Sequence, residues 1–327
     1  MSLTADSDYT NRRTGLIVFG IFEMLLGGLC ALFIPLMLFA QTVAARRPGG
    51  AQPMPFLGTA IALYAAVAIL FVWLGIGSAL ARRWARALWL CLSAVGLCFG
   101  AMGCVFMIWL LPHLGETMAG SGQPTPPPGM LATMRIVAGL VMLVIYILIP
   151  GALVLFYRSP NVKRTCEVLD PVERWTDRCP LPVLALSLLL SFAGLGVVAF
   201  VGVGHSFPFF GFSLEGPAHY LASVLIVALL FGTALGLYKL RLGAWWTALG
   251  LQVVLGLSNL VTTWRGDFPQ LYAKMGYSAQ ISANASQLMN APAFKWLVPL
   301  GIVPWIVWLF WIRRYFLVPP VATKAEG

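Results

Sequence analysis

Charge is what this chain has least of. Asp, Glu, Lys and Arg make up 10% of its 327 residues, against about 25% in a typical soluble domain. An ordinary water-soluble globule is excluded. Histidine is scarcer still, with three in the chain, which leaves few neutral nitrogen ligands for a metal or haem. The six cysteines form no spaced pair of the zinc or haem-attachment kind. There is no phosphate-binding glycine loop, no nucleophile elbow and no zinc-protease motif. No two carboxylates are spaced for acid–base work. The sequence names no reaction and calls for no cofactor or metal.

What it has is apolar length. Hydrophobic residues reach 60%. Runs long enough to cross ~30 Å of hydrocarbon recur near 14–40, 56–80, 85–111, 131–157, 181–203, 217–238, 242–263 and 295–316. Each is expected to be a helix, because backbone groups in lipid have no water to pair with. The first run is too long for a signal-peptide core, so it reads as a retained span.

The net charge of +10 invites a nucleic-acid partner, but its distribution points to a lipid bilayer. With eight spans and a cytoplasmic start, 15 Lys and Arg fall on one side and 6 on the other. That is the bias of positive loops held in the cytoplasm of a cell (inner) membrane. Both termini are predicted cytoplasmic. The Arg46-Arg47 pair runs against the rule. Trp84, Trp89, Trp245 and Trp246 flank two basic turns, as indoles at headgroup level do.

The chain also echoes itself. Gly77-x4-Arg82-x2-Ala85 returns as Gly236-x4-Arg241-x2-Ala244, and Pro150-x4-Leu155-Phe156-Tyr157 as Pro304-x4-Leu309-Phe310-Trp311. The offset changes from 159 to 154 between the two patterns, and a shared hydropathy profile with chance matches is the alternative. The predicted fold is an all-α integral membrane protein of eight transmembrane helices, built as two fused, parallel four-helix repeats. The first repeat is 1–158 and the second 181–327, joined by a charged cytoplasmic connector, 159–180. An even number of spans per half makes the repeats parallel.

Few residues point to chemistry. Glu23 lies about nine residues into the first helix. Placing a carboxylate inside a bilayer costs on the order of 3 kcal/mol, so it calls for a reason: an ion or proton site, an Arg partner, or a hydrogen bond to a neighbouring helix. Pro150 and Pro304 are candidate breaks in helices four and eight, with plain kinks as the simpler reading. Arg82, Arg83, Arg86, Lys239 and Arg241 are candidate headgroup contacts, although every polytopic protein needs basic turns. His113, His205 and His219 fall at outer helix ends, as interfacial residues or as ligands for haem, pigment or metal. Gly96-x3-Gly100 and Gly232-x3-Gly236 allow close helix contact. Four cysteines lie in helices and Cys166 and Cys179 in the connector, where reduced thiols are expected.

Three loops have character. Residues 158–180 carry five cations and four carboxylates of alternating sign, which suits a folded connector or interfacial helix. His113–Met130 holds Pro124, Pro126, Pro127 and Pro128, a stiff extended cover. Residues 265–293 form a long polar loop with a short helix expected near Pro269–Tyr277. Protein partners are expected through 159–180 or 265–293. Two functions fit: an accessory, scaffold or assembly subunit of a membrane complex, or a transporter or channel for a small or lipid-like solute that uses Glu23 and the repeat interface. An enzyme is disfavoured, because no set of catalytic groups converges.

Overall fold

The structure is a computed structural model that describes residues 10–46, 57–120, 127–201, 206–274 and 292–317, with Ser282, Ser286 and Met289. Over 108–120 only the backbone is described. Among the described residues, eight helices are long and apolar enough to cross a membrane: Arg13–Val43, Leu57–Ala79, Arg83–Met107, Gly129–Arg158, Leu181–Val201, Gly216–Tyr238, Leu242–Arg265 and Phe294–Leu317. They fall on the eight runs read from hydropathy. Their outward faces carry large apolar side chains, as a lipid-bathed surface requires. The chain is a multi-pass helical membrane protein.

Two compact units divide it. Met1–Ile108 with Ala132–Leu181 form the first, and Trp109–Leu131 with Pro182–Gly327 the second. The connector thus belongs to the first unit.

In the first unit, α1 (Arg13–Ala45) and α2 (Leu57–Ala79) cross closely. Lipid tails are as apolar as leucine, so packing rather than hydrophobic drive joins membrane helices, and small residues let backbones approach. A Cβ added at Gly20 would stand 2.6 Å from the Gly75 carbonyl, and one at Gly27 2.9 Å from the Ala68 carbonyl. This seam has a seven-residue spacing that the four-residue glycine pairs of the sequence do not reveal. A tight turn then leads to α3 (Arg83–Gly120).

The fourth span is not one regular helix. It runs as α4 (Pro128–Leu143), a π-helical turn Val144–Leu148, and α5 (Ile149–Arg158). Pro150 explains the turn: it has no N–H for the Tyr146 carbonyl four residues back, and a π turn absorbs such a break. Gly100 of α3 lies against that same carbonyl, where any Cβ would strike it. By contrast α11 (Pro292–Ile312) continues as one helix through Pro299 and Pro304.

The connector folds as α6 (Pro160–Leu169) and a single 3-10 turn, Trp175–Arg178. The expected loop His113–Met130 is shorter than its prolines suggest. α3 continues to Gly120 and α4 starts at Pro128, while 121–126 lie outside the described residues.

In the second unit, α7 (Leu181–Val201) and α8 (Gly216–Tyr238) are tied where Ser187 Oγ donates to the Ala234 carbonyl at 2.7 Å. Between them stands an antiparallel hairpin, β1 (Ser206–Phe209) and β2 (Phe212–Glu215), which the apolar pattern does not announce. Its two-residue turn puts Phe210 at φ 50° and Gly211 at φ 83°, as a tight hairpin demands. Phe210 N–H donates to Ser258 Oγ at 2.9 Å and Gly211 N–H to Thr262 Oγ1 at 3.0 Å, which dock the hairpin on α9 (Leu242–Arg265). The short helix expected in the following loop is α10 (Phe268–Lys274), and Lys274 pairs with Glu215 at 2.6 Å.

The repeated glycine motif forms the same turn twice. Arg82 N–H donates to the Gly77 carbonyl at 2.9 Å and Ala81 N–H to Ser78 at 2.8 Å. Arg241 N–H donates to Gly236 at 3.0 Å and Leu240 N–H to Leu237 at 2.8 Å. Both are Schellman-type helix ends, with Ala81 at φ 54° and Leu240 at φ 53°. The glycine sits one turn earlier than the left-handed residue because the next helix packs there. A Cβ at Gly77 would be 2.7 Å from Ala85 Cβ, and one at Gly236 2.5 Å from Ala244 Cβ. The second echo behaves differently. Tyr157 is fully buried while Trp311 is half exposed, and Leu155 is exposed while Leu309 is buried. The two strings present different faces.

Candidate functional site

Glu23 is fully buried, on the face of α1 that meets three other helices. Tyr157, at the end of α5, donates its hydroxyl to Glu23 Oε1 at 2.6 Å. Ser78, at the end of α2, shares a short hydrogen bond with the same phenol, and its Oγ also lies 3.4 Å from the Leu16 carbonyl. The Trp89 indole of α3 stands beside the carboxyl. Among the described residues neither Trp89 Nε1 nor Glu23 Oε2 makes a hydrogen bond. Four helices thus converge on one carboxyl.

The local sequence explains the convergence. Phe19, one turn before Glu23, stacks on Phe156 with ring centroids 4.1 Å apart. Gly15 makes room for that ring: a Cβ there would be 2.9 Å from Phe156. Phe156 therefore fixes α5 against α1 and turns its neighbour Tyr157 inward. Trp89 packs on Phe71 at 5.3 Å. Trp89 and Trp245 are buried against the protein. Each serves a helix junction. Trp245 Nε1 donates to the Leu309 carbonyl at 2.8 Å, near the end of α11 where helical donors run out.

Above the carboxyl the connector closes the first unit. Thr165 Oγ1 accepts the Arg12 N–H at 3.0 Å, at the start of α1. Val162 and Cys166 pack with no more than 1% exposure. Asp170 is the anchor. It accepts from Arg174 Nη2 at 2.8 Å and Nε at 3.3 Å, and from the Arg83 N–H at 3.3 Å, and lies 3.6 Å from Arg82 Nη1. It is thus an anion at the N-terminus of α3, where the helix dipole favours one. Arg83 also meets Glu167 at 3.8 Å and Asp177 at 3.5 Å.

These contacts shift ionisation outside the spans. Burial works against the Asp170 charge, but Arg174, the Arg83 N–H and Arg82 outweigh it and hold the carboxyl below the ordinary aspartate range. Burial pushes the Cys166 thiol up to about 11, against the opposing pull of Arg86. It pushes Cys179 up to about 12. Both are free thiols and poor nucleophiles at neutral pH.

The remaining sequence candidates are scattered. Arg82 and Arg83 are engaged by the connector. Lys239 and Arg241 are exposed, and among the described residues no carboxylate pairs with them. The three histidines do not form a described cluster. The His113 side chain and all of His205 lie outside the described residues. His219 is fully buried in α8, and among the described residues neither ring nitrogen has a hydrogen-bond partner. Among the described residues no group of three or more His, Cys, Asp or Glu is placed to hold a metal ion. Pro150 marks the π turn, about two turns from Tyr157 along the same span.

Sequence reading found Glu23 but not its partners. A tyrosine at the end of a span and a serine beside a basic turn carry no local mark of the site. Comparison with family models, with curated proteins and with solved structures finds no match to this chain.

Proposed function

We propose that the protein is an accessory, scaffold or assembly subunit of a membrane complex, seated in the cell (inner) membrane with both termini cytoplasmic. One observation carries the reading: the first half of the fourth span, the end away from the connector, keeps a broad apolar side exposed among the described residues. Of the eight spans, Gly129–Arg158 is the least buried. Ile136, Val137, Leu140 and Leu143 are all exposed, and at 100° per residue they share one side of the helix, an arc of about 120°. A helix in lipid gains position only through packing and polar contacts. The span meets α3 at its π turn, and before that its exposed apolar side stands open to another surface. A partner helix in the same membrane supplies one.

The polar interior supports this reading. Ser78 and Tyr157 spend their hydrogen bonds within the unit. The test is purification in mild detergent, reading the mass and composition of the intact particle. A second protein in fixed ratio supports the proposal. A chain that runs alone, at the mass of protein plus detergent, overturns it.

The second reading is a transporter or channel for a small or lipid-like solute, and Glu23 Oε2 favours it. A carboxyl buried inside a span is by default a candidate for an ion or proton path. Glu23→Gln in proteoliposomes discriminates. Lost flux with unchanged folding supports transport, and unchanged flux removes Glu23 from it.

A further inference from the structure

The same turn is built twice, bond for bond, yet the cations at its two copies meet different surroundings. In the first unit, Arg82 and Arg83 are paired with three connector carboxylates, Glu167, Asp170 and Asp177. In the second unit, Lys239 and Arg241 stand exposed at the equivalent turn. Arg313 joins them: its guanidinium lies 5.3 Å over the ring of Trp245, the residue whose N–H bonds back to the Arg241 carbonyl. Among the described residues none of the three has a carboxylate partner. Glu215 and Asp267, the acids that bracket α8 and α9, lie at the opposite ends of those helices.

We propose that Lys239, Arg241 and Arg313 bind the phosphate of an anionic phospholipid headgroup, and that the connector denies the first unit's turn to such a lipid. Each turn joins two consecutive spans, so it lies at a membrane face, where lipid phosphate is the most abundant anion. Arginine forks match phosphate oxygens, and lysine adds a point charge. The turn also opens α9, whose first N–H groups point outward with the positive end of the helix dipole. Trp246 and Trp311 flank the cations at 55% and 49% exposure, the placement of indoles that anchor a helix among headgroups. An acidic protein segment would instead be expected to bring carboxylates, as the connector does, and would not require exposed tryptophans.

The test uses the full chain in nanodiscs of phosphatidylcholine, with and without phosphatidylglycerol, and counts retained lipids by native mass spectrometry. The wild type should retain phosphatidylglycerol in preference to phosphatidylcholine. Lys239→Gln, Arg241→Gln and Arg313→Gln should each weaken that preference by on the order of fivefold, while Arg82→Gln leaves it unchanged. All three side chains are exposed, so folding is expected to survive, and circular dichroism of each variant checks it. Equal retention by the triple variant overturns the proposal, as does an equal loss in Arg82→Gln. Two competitors fix the source. Inorganic phosphate that displaces the lipid at equal concentration, or a synthetic acidic peptide covering residues 163–178 that displaces it, overturns the assignment to lipid.

Discussion

The Tyr157 hydroxyl reaches across 134 residues of sequence to donate to Glu23 Oε1 at 2.6 Å. Tyr157→Phe removes that donor and leaves the buried carboxyl oxygen unpaired. A loss of about 1–3 kcal/mol is expected, read as a lowered melting temperature in detergent. Glu23→Gln should cost much less in the Tyr157→Phe background than in the wild type, because the two groups are coupled. Additive losses would show that the pair does not interact.

Asp170 gives the connector a pH signature. Its folded carboxyl lies below the ordinary range, so its contribution is present above the unfolded aspartate value of about 3.9 and is lost as pH falls through the lower folded one. Asp170→Asn should melt earlier than wild type at neutral pH, by about 0.5–1 kcal/mol for a pair screened by solvent. The gap should narrow below about pH 4 and close in stronger acid. A gap that persists unchanged at low pH rules out the ionic explanation.

Two glycines of one helix should respond oppositely to alanine. Gly236→Ala sets a Cβ 2.5 Å from that of Ala244 and forces the turn apart, at about 1–3 kcal/mol. Gly232→Ala meets nothing within 4 Å and should be neutral or gain up to about 1 kcal/mol in helix propensity. Thermal unfolding of both variants checks the contrast, and equal effects would mean that the turn is not tightly packed.

Maleimide labelling should pass over Cys166 and Cys179 in the folded protein. Their thiols are buried and pushed up to about 11 and about 12. At neutral pH the reaction should be roughly a hundredfold slower than for free cysteine at Cys166 and roughly a thousandfold slower at Cys179, and should become rapid in denaturant. Rapid labelling of Cys166 in the native state would mean that the connector opens.

Hydropathy sufficed for the eight spans, because a span is a local property: some twenty apolar residues whose backbone bonds close within the segment. The glycine motif also betrayed its turn, since the constraint falls on residues eight apart. Other features were less legible. The hairpin 206–215 is short, lies among apolar residues, and is docked by hydroxyls of Ser258 and Thr262 some fifty positions away. Pro150 and Pro304 look alike in sequence. The first coincides with a π turn and the second does not, a difference that involves Gly100 on another helix.

Local sequence was enough for the membrane class, the number and place of the spans, and the one carboxyl that needed an explanation. What that carboxyl bonds to, which tryptophans go inside, and which of two like basic turns is covered by acid all waited on the folded chain. The cause is distance along the sequence. Apolar length and turn geometry are summed over neighbours. The Glu23–Tyr157–Ser78 network and the Asp170 anchor depend on α1, α2, α5 and the connector arriving together, and on glycines small enough to let them.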